Sequence, residues 1–376
     1  MIAIKKNRKS GAHSLVKQHI LSNFSPGDQL PGENELIKHL RTSRYAVLKG
    51  MTELSAEGVL ERRQGKGTFM IRAKSNKDFK NSQIIAFVAD EFESNMIVEI
   101  ARGIEEYLRS SKFSMLLLNS SYDAEQECRN LNQVVEHQYA GVIAMLGPHS
   151  KALECAAELP RKGIPLVQID RHYSAITSPW VETDHKEGAY QAVHHLIELG
   201  HRKIGHITFN EPQNRSITSV EQRFAGYRRA LTEAGIEFRQ DYVQYARTFA
   251  VSSNIYDEAM ELAAYEPAHK LISMPDRPTA LFLMNDCFAP GVLRAILNHG
   301  LRVPDDISLI GFDDGPIAKY LQVPLTTLAQ PFREIGRKAA EIIEKTLDGN
   351  PAAEWKIKLP GKLIIRNSTA EVKNKQ

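Results

Sequence analysis

The sequence predicts an α/β protein in which a small N-terminal domain of helices and one hairpin precedes a larger body of doubly wound parallel sheets. Three observations support this prediction. The 376-residue chain is long enough for two or three domains that each bury a core. Helical periodicity dominates the first 71 residues. From residue 83 onward, strand-like apolar runs alternate with helical stretches, which is the pattern of parallel sheets.

Charge is divided unevenly along the chain. Residues 1–80 hold 16 Lys+Arg against 7 Asp+Glu, whereas the remaining residues hold 32 against 38. A basic N-terminal part on a mildly acidic body is typical of a nucleic-acid-binding domain joined to a second module.

The lack of a recognisable targeting signal and the small number of cysteines lead us to expect a cytoplasmic protein with no membrane partner. The start of the sequence has positive charges but lacks the apolar core of a signal peptide, and no stretch approaches the ~18 apolar residues of a membrane span. Cys128, Cys155 and Cys287 are too few and too scattered for a disulfide framework or a zinc site. We therefore expect all three thiols to pack in the core.

Three helices are predicted in the N-terminal region, over 11–23, 33–40 and 44–57. Apolar residues at helical spacing predict the first, and the proline-containing stretch 24–31 ends it. Ser43 provides an N-cap for the third helix, and Gly58 provides its end.

The stretch RRQGKGTFM, residues 62–70, joins two strand-like runs over 59–63 and 68–71, so residues 64–67 are predicted to form a hairpin tip. Its Gly-Lys-Gly-Thr core lacks the P-loop spacing, and no helix follows it, which excludes a nucleotide-phosphate loop. Three helices and a hairpin predict a winged helix-turn-helix. In this fold the third helix enters the major groove of DNA and the wing approaches the backbone.

Three motifs carry a family resemblance in this region: LPGENEL (30–36), SRYAVLKGMTEL (43–54) and EGVLERRQGKGTF (57–69). They resemble the GntR-type DNA-binding domain along nearly its whole length. The resemblance implies that DNA is contacted by Arg44, Tyr45, Lys49, Gln64, Gly65, Lys66 and Gly67. The sequence departs from the family at Leu48, where an arginine is usual, and at Gly32, which replaces a helix-capping serine.

Residues 72–82 are charged and polar without apolar periodicity, which predicts a flexible linker between a domain over 1–71 and a body over 83–376. Buried strands are predicted over 84–89, 114–118, 141–145, 165–169, 203–208, 279–284 and 308–311. Helices are predicted over 96–110, 123–137, 185–199, 220–234, 253–265, 287–299 and 333–348. A body of this size suits two lobes, with ligands bound at the carboxyl ends of the strands across a cleft.

The body also resembles a known family, over about 83–370. The motifs are GIPLVQIDRH (163–172), VETDHKEGAYQAVHHLIELGHRKIGHI (181–207), QRFAGYRRAL (222–231), PTALFLMNDCFAPGVLRAI (278–296), VPDDISLIGFDDGPIAKYLQVPLTTLAQPFREIG (303–336) and LIIRNST (363–369). They resemble the regulatory domain of LacI-type repressors, which has the two-lobed fold of periplasmic sugar-binding proteins. With a GntR-type head, the whole chain resembles the arabinose-repressor subfamily, and L-arabinose as effector follows from that resemblance alone.

Several predicted strands end in polar residues, as a sugar site requires. Polyol recognition needs paired hydrogen-bonding groups and a flat apolar wall. Matched to the family, the residues implied to bind sugar hydroxyls are Asp170, Arg223, Asn285 and Asp313, with Phe332 stacking on the sugar and Phe92 or Trp180 as further walls. We expect Asp286 and Asp314 to be structural.

Two classes of function remain compatible with the sequence. The first is a repressor that binds a palindromic operator as a homodimer and is released by a small sugar, without cofactor, metal or enzymatic activity. The second is a sugar-binding or sugar-processing protein whose basic head does not read DNA. The neighbouring carboxylates of Asp313 and Asp314 diverge at a strand end, so they do not suit the facing pair of a glycosidase.

Overall fold

The computed structural model describes residues 12–24, 27–56, 59–63, 65–70, 82–92, 94–209, 217–246, 258–349 and 356–372. The chain forms two compact units, Met1–Asn81 and Ser82–Gln376. The linker predicted over 72–82 stays a prediction, because residues 71–81 lie outside the described part. Among the described helices, none combines the length and the apolar character needed to cross a membrane.

The N-terminal unit has the predicted three helices and antiparallel hairpin. Its elements are α1 (Ala12–Asn23), α2 (Glu33–Leu40), α3 (Arg44–Ala56), β1 (Leu60–Arg63) and β2 (Gly67–Met70). The helices enclose a core of apolar side chains that includes Val16, Ile20, Leu36, Val47 and Leu54. The hydroxyl of Ser43 accepts a hydrogen bond from the Ala46 N–H at 3.2 Å, as expected of an N-cap.

The first lobe of the body is built on six parallel strands in the order β13-β7-β6-β5-β3-β4. These are β3 (Ile84–Ala89), β4 (Ser114–Asn119), β5 (Gly141–Ala144), β6 (Leu166–Ile169), β7 (Trp180–Thr183) and β13 (Lys356–Leu359). The helices of this lobe are α4 (Asn95–Leu108), α5 (Ala124–Glu136), α6 (Ser150–Arg161) and α12 (Phe332–Leu347).

The second lobe has the strand order β14-β12-β11-β10-β8-β9, and only β14 runs antiparallel to its neighbour. Its strands are β8 (Ile204–Phe209), β9 (Val243–Ala246), β10 (Ala280–Leu283), β11 (Ser308–Asp313), β12 (Thr326–Ala329) and β14 (Lys362–Ile364). Its helices are α7 (His185–Glu198), α8 (Thr218–Glu233), α9 (Glu258–Ile272), α10 (Ala289–Asn298) and α11 (Pro316–Tyr320). The predicted winged helix-turn-helix and two-lobed α/β body are confirmed.

The differences from the predicted elements have local causes. All seven predicted body strands are present within two residues at each end, but β7, β9, β12, β13, β14, α6 and α11 were not predicted. Most of these are only three to five residues long, too short to show a periodicity. The helix predicted to end before Pro267 continues to Ile272, because Ala264, Ala268 and Leu271 pack into the core of the lobe. Residues 253–257 of that prediction lie outside the described residues.

The expectation of three free thiols is wrong for two of them. Cys128 on α5 and Cys155 on α6 form a disulfide, with Cα atoms 5.6 Å apart, whereas Cys287 is free. The two helices pack against each other, a juxtaposition that the spacing of the cysteines in the sequence does not reveal. The cytoplasmic expectation therefore loses the support that free thiols gave it.

Three crossovers connect the two lobes, and hydrogen bonds link the crossovers to one another. The chain passes from β7 to α7, from β12 to α12 and from β13 to β14. The hydroxyl of Thr183 donates to Gln330 Oε1 at 2.6 Å, which links the first crossover to the second. The N–H of Asp184 donates to the carbonyl of Leu359 at 2.8 Å, which links the first to the third. The crossovers thus form one hinge.

Two glycines let α4 and α12 pack with their backbones in close contact. A Cβ added at Gly103 would lie 2.0 Å from the carbonyl oxygen of Arg333, and one at Gly336 would lie 2.1 Å from that of Ile100. Backbone atoms cannot move aside as a flexible side chain can, so this helix pair requires glycine at both positions.

Gly336→Ala should therefore destabilise the protein. Forcing a methyl group between two packed helices costs about 1–3 kcal/mol of unfolding free energy. Urea denaturation of the full chain measures this cost. The matched control is Gly315→Ala, where an added Cβ meets no atom within 4 Å. Equal stability of the two variants would contradict the packing constraint.

Candidate functional site

One face of α3 is turned away from the core of the N-terminal unit. Along this face Arg44, Tyr45 and Leu48 are exposed and Lys49 is half-buried, while the intervening Ala46 and Val47 are buried. The Tyr45 side chain is 73% exposed, although an aromatic ring of this size usually finds packing partners. The helix therefore presents a mixed cationic, aromatic and apolar surface at its N-terminal end.

The hairpin tip is braced by a side chain from the α1–α2 connection. Gln29 Nε2 donates to the carbonyl of Lys66 at 2.8 Å, and a Cβ at Gly67 would lie only 2.7 Å from the same nitrogen. Gly65 and Gly67 have φ values of 73° and 104°, which glycine adopts without strain. The Lys66 side chain is exposed, whereas Gln64 lies outside the described residues.

These surfaces supply the groups that DNA recognition uses. Exposed Arg44 and Lys66 can contact phosphates, and an exposed leucine at position 48 can contact the methyl group of thymine. Arg63 has a different role, since it pairs with Glu61 at 2.8 Å and lies 4.8 Å over the ring of Phe69. The structure describes the positions of Arg44, Tyr45, Lys49, Gly65, Lys66 and Gly67 within this unit.

In the body, both lobes place a carboxylate on left-handed backbone at the carboxyl end of a strand. Asp170 follows β6 with φ of 64°, and Asp313 ends β11 with φ of 120°. Such conformations are costly for residues other than glycine, and they cluster at ligand-binding sites. The strain at corresponding places in the two lobes marks the cleft edge as the candidate ligand site.

Two hydrogen bonds and one ion pair connect these two residues through His185 and Arg223. The backbone carbonyl of Asp170 accepts from His185 Nε2 at 2.9 Å, and His185 Nδ1 accepts from Arg223 Nε at 3.4 Å. Arg223 Nη1 donates to the carbonyl of Met284 at 2.7 Å, and its Nη2 lies 3.7 Å from Asp313 Oδ1. Three of the residues predicted to bind ligand are therefore brought together: Asp170, Arg223 and Asp313.

Burial shifts the pKa values of Asp170, Asp313 and His185. Loss of hydration raises the pKa of Asp170, and it raises the pKa of Asp313 to about 6, although the charge of Arg223 opposes both shifts. Burial also lowers the pKa of His185 well below its ordinary value, with a smaller contribution from the Arg223 charge. His185 is therefore a neutral imidazole between an arginine and a carbonyl.

Asn285 and Phe332 are the other two residues predicted to bind ligand. They lie outside the series of bonds that links Asp170 to Asp313. Asn285 follows β10, next to Met284, and its Oδ1 is buried without a protein partner among the described residues. Phe332 is 5% exposed and packs mainly in the core of the first lobe, although its ring borders an open groove of about 630 Å³. Asp313 and Gln330 border the same groove.

The two additional aromatic walls that the sequence suggested differ in exposure. Trp180 is buried and stacks on the ring of His172, with centroids 4.4 Å apart and planes 6° apart. Phe92 stays exposed after the end of β3. Of the two aromatic rings, Phe92 is the one available to a ligand.

The carboxylates expected to be structural have protein partners. Asp286 accepts from the Thr327 hydroxyl at 2.6 Å and from the Gly315 N–H at 3.0 Å. Asp314 pairs with Arg366 at 2.5 Å. Both side chains hold the loops beneath the cleft edge together.

Sequence reasoning missed several polar residues at this edge. His185 follows the strand-ending residues VETD, and Gln330 donates from Nε2 to Asp313 Oδ1 at 2.6 Å. Arg171 pairs with Asp90 and donates to the carbonyl of Leu146 at 2.7 Å. Arg171 lies just after the predicted strand 165–169, which was the available signal for it, whereas His185 and Gln330 follow β7 and β12, which were not predicted. Among the described residues, no three His, Cys, Asp or Glu side chains come together as metal ligands.

Comparisons with known proteins agree with both parts of this arrangement. Residues 9–70 match the gntR family of bacterial regulatory proteins, and residues 193–369 match the periplasmic binding protein-like domain. The chain is 30% identical over 370 residues to the arabinose metabolism transcriptional repressor of Geobacillus stearothermophilus, covering 95% of this chain and 97% of the relative.

Two further proteins are similar to 77% of this chain. The HTH-type transcriptional regulator DegA of Bacillus subtilis (strain 168) is 31% identical over 292 residues, which cover 77% of this chain and 82% of DegA. A LacI family transcriptional regulator from Enterococcus faecium, solved with bound ribose, superposes with a TM-score of 0.64 at 27% identity, covering 77% of this chain and all of that one.

Glu127, beside the cleft edge, should make stability depend on pH. Its carboxyl is 2% exposed and accepts from the Gly147 N–H at 2.9 Å, and loss of hydration raises its pKa to about 7. The folded state therefore keeps this proton while the unfolded state releases it. Unfolding free energy should fall by about 2–3 kcal/mol as pH rises from the ordinary glutamate pKa to 7.

Glu127→Gln keeps the hydrogen-bond acceptor and removes the titration. Urea denaturation at pH 5 and pH 8 should give a smaller difference for this variant than for the unmodified chain. Glu125→Gln, on the exposed side of the same helix, is the matched control and should retain the full difference. An unchanged pH dependence in Glu127→Gln would refute the assignment.

Proposed function

The chain belongs to a family of transcriptional regulators in which a GntR-type DNA-binding domain is joined to a periplasmic-binding-protein-like body, and we propose that it is a repressor released by a small sugar. The observation that carries this proposal is the chain from Asp170 through His185 and Arg223 to Asp313. It places carboxylate, guanidinium and carbonyl groups of both lobes at the facing edges of their sheets.

A sugar suits these groups better than an anion does. Asp170 and Asp313 are acceptors for paired hydroxyls, and the Asn285 Oδ1 atom is buried without a protein partner among the described residues. The names of relatives suggest pentoses, since one is an arabinose metabolism repressor and another was solved with ribose. We propose L-arabinose as the first candidate effector.

We propose that the repressor acts as a homodimer on a palindromic operator. Two-fold symmetry would place two heads on half-sites about one helical turn apart. The body exposes several large apolar side chains, among them Val98, Leu297, Tyr320 and Ile365. In each head, Arg44, Tyr45 and Lys49 would face the major groove, while Gln64, Gly65, Lys66 and Gly67 would approach the backbone.

Ligand control would operate through the hinge. A sugar that binds groups of both lobes favours one arrangement of the lobes, and it can shift operator affinity only by its differential affinity for the two arrangements, typically ~1–3 kcal/mol. Gln330 lies on a crossover, bonds a second crossover at Thr183 and bonds Asp313 at the cleft edge. A ligand contact at Asp313 would therefore affect the crossovers through Gln330.

A thermal-shift panel of L-arabinose, D-ribose, D-xylose and D-galactose tests the effector proposal on the full chain. A ligand at 100 times its dissociation constant adds ~2.7 kcal/mol to stability, which raises the melting temperature measurably. Release of a DNA duplex selected by the chain from a random pool then tests repression. Absence of any shift with sugars would overturn the effector proposal.

Arg44→Ala should weaken binding to the selected duplex by about 1–3 kcal/mol if Arg44 contacts a base edge. Fluorescence anisotropy with labelled DNA measures this affinity, and the thermal shift with sugar should be unchanged. Arg161→Ala, which removes an exposed arginine of the body, is the control. Operator affinity equal to that of the unmodified chain would remove Arg44 from the DNA surface.

Asp313→Asn should leave operator binding intact and weaken release by sugar. The substitution keeps the size of the side chain but loses the charge that strengthens its hydrogen bonds to hydroxyls, an effect of about 1.5–3 kcal/mol for charged groups. A sugar titration of the protein–DNA complex gives the release midpoint. Asp348→Asn, which alters an exposed ion pair with Lys112, is the control. A normal midpoint would exclude Asp313 from the site.

A further inference from the structure

His185 occupies a fully buried position between the two lobes. It is the first residue of α7, directly after the crossover from β7, and its side chain is 0% exposed. One ring nitrogen faces the carbonyl of Asp170 in the first lobe at 2.9 Å, and the other faces Arg223 of the second lobe at 3.4 Å. A single ring thus contacts a proposed ligand residue on each side of the cleft.

The partners of His185 fix where its proton lies. Arginine has no acceptor, so Arg223 Nε must donate to Nδ1 of the imidazole. The ring proton therefore lies on Nε2, from which it donates to the Asp170 carbonyl. This tautomer satisfies both neighbours, and a protonated ring would place an N–H against the Arg223 N–H.

His185 also determines the orientation of the guanidinium group. The Arg223 plane lies over the ring of Phe312, with Cζ 3.9 Å from its centroid. His185 holds Nε, and the Met284 carbonyl holds Nη1 at 2.7 Å. The Nη2 group is then directed to the side of Asp313, 3.7 Å away. Without His185, Arg223 Nε would lose its acceptor, and the orientation of the guanidinium would be less firmly fixed.

We propose that His185 is a positioning residue for effector recognition: it orients Arg223 toward the sugar and ties that orientation to the backbone of Asp170. It does not touch the sugar. This inference rests on the proposed function of the cleft, and it goes beyond it by assigning the link between Arg223 and the backbone of Asp170 to one buried imidazole. Effector affinity, rather than operator affinity, is the property that His185 controls.

The test uses whichever sugar of the panel binds most tightly to the full chain, with affinity measured by calorimetry. His185→Leu removes both hydrogen bonds and should weaken sugar binding about tenfold, the loss expected for one charge-assisted hydrogen bond. His185→Gln, whose amide can accept from Arg223 and donate to Asp170, should stay within about twofold of the unmodified chain. Affinity for the selected DNA duplex without sugar should be unchanged in both variants.

A double-mutant cycle separates positioning from general loss of structure. In an Arg223→Lys background the partner of His185 is absent, so His185→Leu should cost less than about twofold there. His194→Leu, on the exposed side of the same helix, is the matched control and should retain full sugar affinity. Thermal melting of each variant without sugar checks that it is folded.

Three outcomes would overturn the inference. These are an equal loss of sugar affinity in the Leu and Gln variants, a fall by the same factor in both Arg223 backgrounds, and an unchanged affinity in His185→Leu. If the unmodified chain binds no sugar of the panel, the proposed function itself fails and the inference falls with it. If the unmodified chain binds a sugar and any of the three outcomes is observed, the role of His185 is refuted and the proposed function stands.

Discussion

A buried guanidinium constrains the centre of the body. Taking the charge of Arg223 out of water is costly unless its N–H groups find partners. The structure supplies His185, the Met284 carbonyl and the Asp313 carboxylate, together with the face of the Phe312 ring. These groups come from different strands and helices, so the requirements of one side chain bring the cleft edge together.

The same edge depends on the topology of the sheets. Parallel strands bring their carboxyl ends to one side, and both lobes use this side for polar groups. Three crossovers then join the lobes, and the bonds of Thr183 and Asp184 hold them to one another. A movement of one lobe against the other therefore involves all three crossovers.

Sequence patterns predicted most of the long strands and helices of the body, with α6 as the exception, and the helices and hairpin of the N-terminal unit, because most of these elements bury a regular apolar face. They did not reveal the pairing of Cys128 with Cys155, which depends on how two helices pack. The residues of the candidate site also differ in how far the sequence predicted them. Asp170 and Asp313 were predictable as polar ends of apolar runs, whereas His185 and Gln330 gain significance only from partners distant in the sequence.

Leu48 has a consequence for the ionic-strength dependence of DNA binding. Each cationic side chain that neutralises a phosphate releases condensed counterions, and this contributes about one unit to the logarithmic salt slope of affinity. Helix α3 exposes an apolar side chain at this position, where the GntR-type pattern that the sequence resembles usually has an arginine. If α3 faces DNA as proposed, binding would release fewer counterions than it would with an arginine at this position, and its affinity would depend less steeply on salt concentration.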